Sequence, residues 1–195
     1  EFRRVLFRSF TKGKPLFEAA FTFDDGFARI DVLCPLESGA WEIVEVKSCT
    51  KVKDQHIADV AFQKYLCEGS RLEIEKCSLM HLNRDYVREG ELDLNELFII
   101  EDITDQVATA YDSIIDDFAA LKSVAAEPSC PDVAIGSHCT CPYECPLKKT
   151  CWGFLPEHPV TDLYYGKKKA FGLLLAGTES LADPTLGNGL TEKQR

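Results

Sequence analysis

The sequence predicts an α/β protein on a mixed sheet, with elements in the order β-β-β-α-β and further helices added. Three observations carry that prediction. Two strand-like runs meet at an Asp-Asp-Gly turn, a third run ends in Glu-Val-Lys, and a helix-length segment then separates it from a further apolar run. Leu16 to Phe23 alternates and is rich in aromatic residues, and Phe27 to Leu33 resumes the pattern after Asp24-Asp25-Gly26, so the two read as a hairpin. Trp41 to Lys47 is the third strand, after a turn at Ser38-Gly39. Asp54 reads as the N-cap of a helix that runs to Cys67 and stops at Gly69. Strands follow at Ile74 to Leu82 and Leu97 to Ile103, then a long acidic amphipathic helix from Asp105 to Ala125. Pro128 to Ile135 reads as a link to a cysteine-rich loop, and a short helix near Lys168 to Ala176 precedes a polar tail. No strict βα alternation is present, so a doubly wound fold is not expected.

The 195 residues are 45% hydrophobic and 10% aromatic, which suits a folded domain with an appendage. The longest run without a charged residue is the 11 residues from Val133 to Tyr143, too short to span a bilayer as a helix. Arg3, Arg4 and Arg8 interrupt the apolar residues that open the chain, so no signal-peptide pattern is read there. A cytoplasmic protein without a membrane partner is the expectation. Residues 1–15 read as an N-terminal segment, truncated or partly foreign, and the whole as a fragment of something longer. The net charge of −10 is concentrated: Arg84 to Glu127 holds 12 acids and 3 bases, leaving 20 acids against 19 bases elsewhere. A polyanion can therefore still meet Lys51, Lys53, Lys148, Lys149 and Lys167-Lys168-Lys169, although a solvated surface is the commoner use of such lysines.

Nine cysteines in a chain without secretory features point to metal before disulfides. Cys139, Cys141, Cys145 and Cys151 fall within 13 residues of a turn-rich stretch, separated by one, three and five residues. Thiolates on such a loop can converge on one centre, with Pro142 and Pro146 limiting the entropy lost. Paired Cys-x-x-Cys knuckles, which favour zinc, are absent, so an iron–sulfur cluster fits at least as well as zinc. His138 is a possible substitute ligand. Cys34, Cys49, Cys67, Cys77 and Cys130 are scattered and read as small core residues.

The third strand also carries chemistry. Period two places Ile43, Glu45 and Lys47 on one face, and on the preceding strand puts Arg29, Asp31 and Leu33 on one face with Ile30 and Val32 on the other. Asp31 is then expected across from Glu45. Neighbouring carboxylates repel unless a cation lies between them, and hard oxygens that leave room for water are what Mg²⁺ or Mn²⁺ takes. Glu18 on the first strand adds an acid, and His56, Asp59 and Gln63 share one face of the following helix.

At Gly26-Phe-Ala-Arg-Ile-Asp31, Glu45-Val-Lys47 and Gln63 the sequence resembles the RecB-like branch of the PD-(D/E)XK nuclease superfamily. The cysteine loop makes it similar to those members whose core is clasped by a 4Fe-4S cluster, including the CRISPR-adaptation exonucleases and AddB-type helicase-nucleases. Glu45 to His56, Ser78 to Tyr86 and Pro142 to Trp152, in that order, are also similar to an uncharacterised bacterial RecB-like family with a C-terminal domain of unknown function. The resemblance implies a restriction-endonuclease-like core over residues 16–127, a cluster loop over 128–153, and an extension or linker over 154–195 leading to further domains. It also implies a first core helix, bearing a histidine and a cluster cysteine, before residue 1.

By that resemblance Asp31 and Glu45, with the backbone carbonyl of Val46, would hold the divalent metal. Lys47 would be the catalytic lysine, Glu18 an accessory acid, and Gln63 the residue that positions Lys47 or the phosphate. Cys139, Cys145 and Cys151 would bind the cluster, with Cys141 as a fourth candidate. The family's tyrosine four residues after the glutamine is Cys67 here, and Tyr65 stands two residues on. The implied function is metal-dependent hydrolysis of DNA, as an exonuclease on single strands or ends, in repair or defence. The alternatives are an inactive DNA-binding module with the same fold, and an interaction domain held by zinc.

Overall fold

The computed structural model describes residues 13–129, 131–141 and 143–194, and divides the chain into two units, Glu1–Glu127 and Pro128–Arg195. The expectations for the first 12 residues, for Cys130 and for Pro142 fall outside the described residues. In the first unit five strands form one mixed sheet in sequence order: β1 (Leu16–Phe23), β2 (Gly26–Pro35), β3 (Trp41–Lys47), β4 (Ile74–Leu82) and β5 (Phe98–Asp102). All neighbours are antiparallel except β3 and β4. That parallel step needs a crossover, supplied by α1 (Asp54–Gly69). The short α2 (Leu94–Leu97) leads into β5, and the long α3 (Thr104–Ala126) follows it.

The hairpin forms as the sequence predicts. Asp24 and Asp25 both take positive φ, 51° and 64°, as a two-residue type I′ turn requires, and aspartate tolerates that region better than most residues. Side chains from both helices then fasten it. Lys122 of α3 donates to the Asp24 backbone carbonyl at 2.9 Å and to its carboxylate, and the Tyr65 hydroxyl of α1 donates to Asp24 Oδ2 at 2.9 Å. Gly69 is required by close approach, since a Cβ there would lie 2.1 Å from the Phe23 ring. The helix α1 then ends in a left-handed cap at Arg71, φ 71°, with the Leu72 N–H donating to the Cys67 carbonyl at 3.0 Å and the Arg71 N–H to the Glu68 carbonyl at 2.8 Å. The start of α1 differs from expectation, since Lys53 is the N-cap, without a side-chain bond, and Asp54 sits in the first turn. An acid there still meets the positive end of the helix.

The core lies between the sheet and α1, where Ile30, Leu33, Ile43, Val60, Leu66 and Leu79 are fully buried. Val107, Ala110 and Ile114 of α3 pack on the same cluster, while Phe118 stacks edge-on against Phe62 at 5.0 Å. Ile30 and Leu33, three residues apart, share that core, which strict alternation forbids. The opposing strand explains it. The β1–β2 ladder keeps one register through Phe17–Val32 and Ala19–Ile30 but skips Glu18 and Asp31, and Glu18 takes φ 54°. Both strands turn over at this point, which corrects the expected face for Asp31 and Leu33.

The second unit carries a single turn, α4 (Lys148–Cys151), and a nine-residue helix, α5 (Lys167–Leu175), with short 3-10 turns around them. Its small core joins Val160, Leu163, Ala170 and Leu186, with Trp152 edge-on to Phe171 at 6.0 Å. No helix among the described residues is long and apolar enough to cross a membrane.

Truncating Leu79, fully buried in the cluster, to alanine is expected to cost about 2–5 kcal/mol in urea unfolding. A loss below about 1 kcal/mol would place the core elsewhere. The Lys122 hydrogen bond, then that from Tyr65, holds the Asp24 carboxyl below its ordinary value of 3.8. A lowered carboxyl stabilises the fold above its unfolded value and loses that contribution as pH falls through the folded one. The melting-temperature gap between the native chain and Asp24→Asn is therefore expected to be constant at neutral pH and to close as pH drops below 3.8.

Candidate active site

The two irregularities of the sheet fall at the same place. The β2–β3 ladder ends at Val32–Val44, one position short of Asp31 and Glu45. Beyond that point the Asp31 side chain takes over, its Oδ2 accepting from the Val46 backbone N–H at 2.8 Å. The strand reversal at Glu18 and Asp31 thus frees Asp31 to reach across to β3, and the two carboxylates come to neighbouring strands as the sequence predicts.

Glu45 is 5% exposed, with its side chain on the α1 side of the sheet. A buried carboxylate needs partners, and both of its oxygens have them. Lys47 Nζ donates to Oε1 at 2.6 Å, and Gln63 Nε2, reaching down from α1, donates to Oε2 at 2.8 Å. Asp59, one turn before Gln63, closes a ring: Lys47 Nζ donates to its Oδ2 at 2.6 Å and Gln63 Nε2 to its Oδ1 at 3.3 Å. Burial pushes the Glu45 carboxyl up, and the nearby Asp31 charge adds to the rise, against the bonds from Lys47 and Gln63. Burial works to lower the Lys47 ammonium, but its bonds to Asp59 and Glu45 and their charges outweigh it and hold it above its ordinary range. Lys47 is therefore a fixed cation at neutral pH.

His56 lies at the start of the same helix face, 5% exposed, with Nδ1 buried and lacking a hydrogen-bond partner. Burial, then the charges of Lys47 and Lys53, lowers its pKa, so the ring is neutral at pH 7. Gln63 Oε1 is likewise buried without a partner. Two open polar atoms beside a charged ring are a feature that structural cores rarely keep.

The structure thus brings Asp31, Glu45, Lys47 and Gln63 together. Glu18 it does not: that side chain pairs with Arg29 at 2.9 Å, both more than half exposed. Tyr65 serves the hairpin turn, and Cys67 is buried in the core. Asp59 is the residue that the sequence reading named but gave no role. Its signal was present in its place on the Gln63 face, one turn earlier.

The oxygens of Asp31 and Glu45 fit Mg²⁺ or Mn²⁺, which take one or two protein carboxylates and keep several waters. Among the described residues no three His, Cys, Asp or Glu side chains are grouped to hold a metal. That applies to the cysteine loop as well. Cys139 is buried, Cys145 half-buried, and Cys141 and Cys151 exposed, all as free thiols. Within the loop, the Cys145 N–H donates to the Cys139 carbonyl at 2.9 Å and the Cys151 N–H to the Leu147 carbonyl at 3.0 Å. Thiolates suit iron–sulfur or zinc, but the sulfurs as placed do not converge on either. Of the lysines noted in the sequence, Lys148 is engaged with Glu144 at 2.8 Å and lies over the Trp152 ring at 4.9 Å.

No protein-family model and no curated protein matches the sequence. Among solved structures the chain is similar to one described as the crystal structure of SSO0001, with 16% identity and a TM-score of 0.30, covering 61% of this chain and 57% of that one. The chain thus spans less than two thirds of that protein's length, and a likeness of this degree carries no argument.

Gln63 is expected to matter for stability. Gln63→Ala leaves Glu45 Oε2 buried without a donor, at an expected cost of about 1–3 kcal/mol in urea unfolding. An unchanged midpoint would mean that Glu45 draws its stabilisation from elsewhere.

Proposed function

We propose that this chain carries a metal-dependent deoxyribonuclease site of the PD-(D/E)XK, RecB-like type. The observation that carries the reading is the constellation around Glu45: a buried carboxylate beside Asp31 on the adjoining strand, with Lys47 two residues on and Gln63 on the crossover helix. Asp31 and Glu45, with the Val46 carbonyl, would hold Mg²⁺ or Mn²⁺. Such a cation lowers the pKa of its water and offsets charge on a phosphate. Every other role falls to the chain itself. Lys47, fixed as a cation, orients the attacking water and stabilises the charge that grows on the phosphate oxygens. Gln63 holds Glu45 in one rotamer, and its free Oε1 is an acceptor for water or for the lysine.

On this reading the sheet with α1 is a restriction-endonuclease-like core and the substrate is DNA, cut at single strands or ends, in repair or defence. The second unit contributes an iron–sulfur site through Cys139, Cys145 and Cys151, with Cys141 as the fourth candidate and zinc as the alternative metal. Its thiols would close together on ligation, as ligation and folding are commonly coupled. A soluble, cytoplasmic setting and further domains in a longer native chain belong to the same reading. The acidity of the chain does not oppose it, because most of the excess charge lies between Arg84 and Glu127, away from Asp31, Glu45 and Lys47 in the sequence.

End-labelled single-stranded DNA incubated with the purified chain and Mn²⁺ tests the proposal. Cleavage is expected, falling by about 10²–10⁴-fold in Lys47→Ala, the range set by loss of a positioned proton-transfer or charge-stabilising group. DNA binding with no cleavage under any divalent cation would turn the reading to the non-catalytic module. Iron and sulfide analysis after anaerobic purification tests the cysteine assignment, where zinc without iron would defeat the cluster.

A further inference from the structure

Lys47 Nζ and a divalent cation have claims on the same atom. Of the two Glu45 oxygens, Oε2 is taken by Gln63, which is itself 3% exposed and held in place by its helix. Oε1 is the one that Lys47 covers, at 2.6 Å. Two cations crowded on one oxygen repel, so a metal on Glu45 favours Lys47 shifting its weight from Oε1 to another acceptor. An ammonium has three donors, and a second one already rests on Asp59 Oδ2 at 2.6 Å. Asp59 is more exposed than Glu45, its side chain 41% accessible against 7%, and is tied back to the ring through Gln63 Nε2 at 3.3 Å. It can keep the lysine beside the site without giving up its own place. The partnerless Oε1 of Gln63 offers an acceptor on the same amide.

We infer that Asp59 is a positioning residue that receives Lys47 when Glu45 turns to a divalent cation. The inference rests on the nuclease reading for the cation, and on the hydrogen-bond ring for Asp59. It gives Asp59 an effect on metal affinity that passes through Lys47, which neither a structural role nor simple charge attraction would produce.

The test is Mn²⁺ titration by electron paramagnetic resonance on the full chain, in the native form, Asp59→Asn, Lys47→Met, the double variant and Glu45→Gln. Asp59→Asn is expected to weaken Mn²⁺ binding about three- to tenfold when Lys47 is present and by less than about twofold when it is methionine, the signature of two groups in contact. Asp59→Glu, which keeps a carboxylate within reach of the ammonium, is expected to stay within about twofold of the native chain. It keeps the question answerable if Asp59→Asn fails to fold. An equal loss in both lysine backgrounds, or a loss in Asp59→Glu as large as in Asp59→Asn, overturns the inference while leaving the nuclease reading intact. Mn²⁺ binding that is absent, or indifferent to Glu45→Gln, overturns both.

Discussion

Glu45 carries a negative charge into the interior of the sheet, at 5% exposure, and the surrounding structure is arranged to make that tolerable. A carboxylate removed from water loses hydration worth several kcal/mol, which only close, well-aimed donors return. Lys47 comes from the same strand two residues on, and so costs little additional ordering. Gln63 comes from α1, which ties the crossover helix to the strand end it covers. The ring then fixes the rotation of α1 about its own axis: a turn of one residue would carry Asp59 and Gln63 off the sheet and leave Glu45 without partners. Packing of Ile57, Val60 and Leu66 into the core demands the same rotation, so apolar and polar constraints agree.

The strand reversal at Glu18 and Asp31 serves the same end. Had β1 and β2 kept strict alternation, Asp31 and Leu33 would share a face, and either a carboxylate would enter the core or Leu33 would leave it. Turning both strands over at one paired position keeps Leu16, Ala19, Ile30 and Leu33 on the core side and lets Asp31 close the end of the β2–β3 ladder. The positive φ of Glu18 is where that strain is kept.

Most of the architecture was legible from local pattern. The five strands and the crossover helix follow from alternation, from the Asp-Asp-Gly turn and from the 3.6-residue spacing of apolar groups, because those periods depend on neighbours in sequence. Glu45, Lys47 and Gln63 were legible for the same reason, each lying on a regular element with a predictable face. The reversal at Asp31 was not, since it depends on the pairing partner in β1 rather than on any residue nearby. Glu18 shows the cost of that: the family resemblance offered it to the site as an accessory acid, while its real conformation sends it to Arg29 at the surface. Asp59 was visible as part of a polar helix face, but its contact with Lys47 depends on the rotation of α1, which the pattern alone leaves open. The cysteine loop lies beyond such reasoning altogether, because ligand geometry there is a matter of three-dimensional convergence that neither periodicity nor propensity encodes.

Locating Mn²⁺ by anomalous scattering in crystals of the chain tests the central claim most directly. The account predicts a peak coordinated by the Asp31 and Glu45 carboxylates and the Val46 carbonyl, with Lys47 drawn away from Glu45 Oε1. A Glu45 that keeps Lys47 in crystals grown with Mn²⁺ as in those without, with Mn²⁺ bound at other residues or not at all, would contradict it.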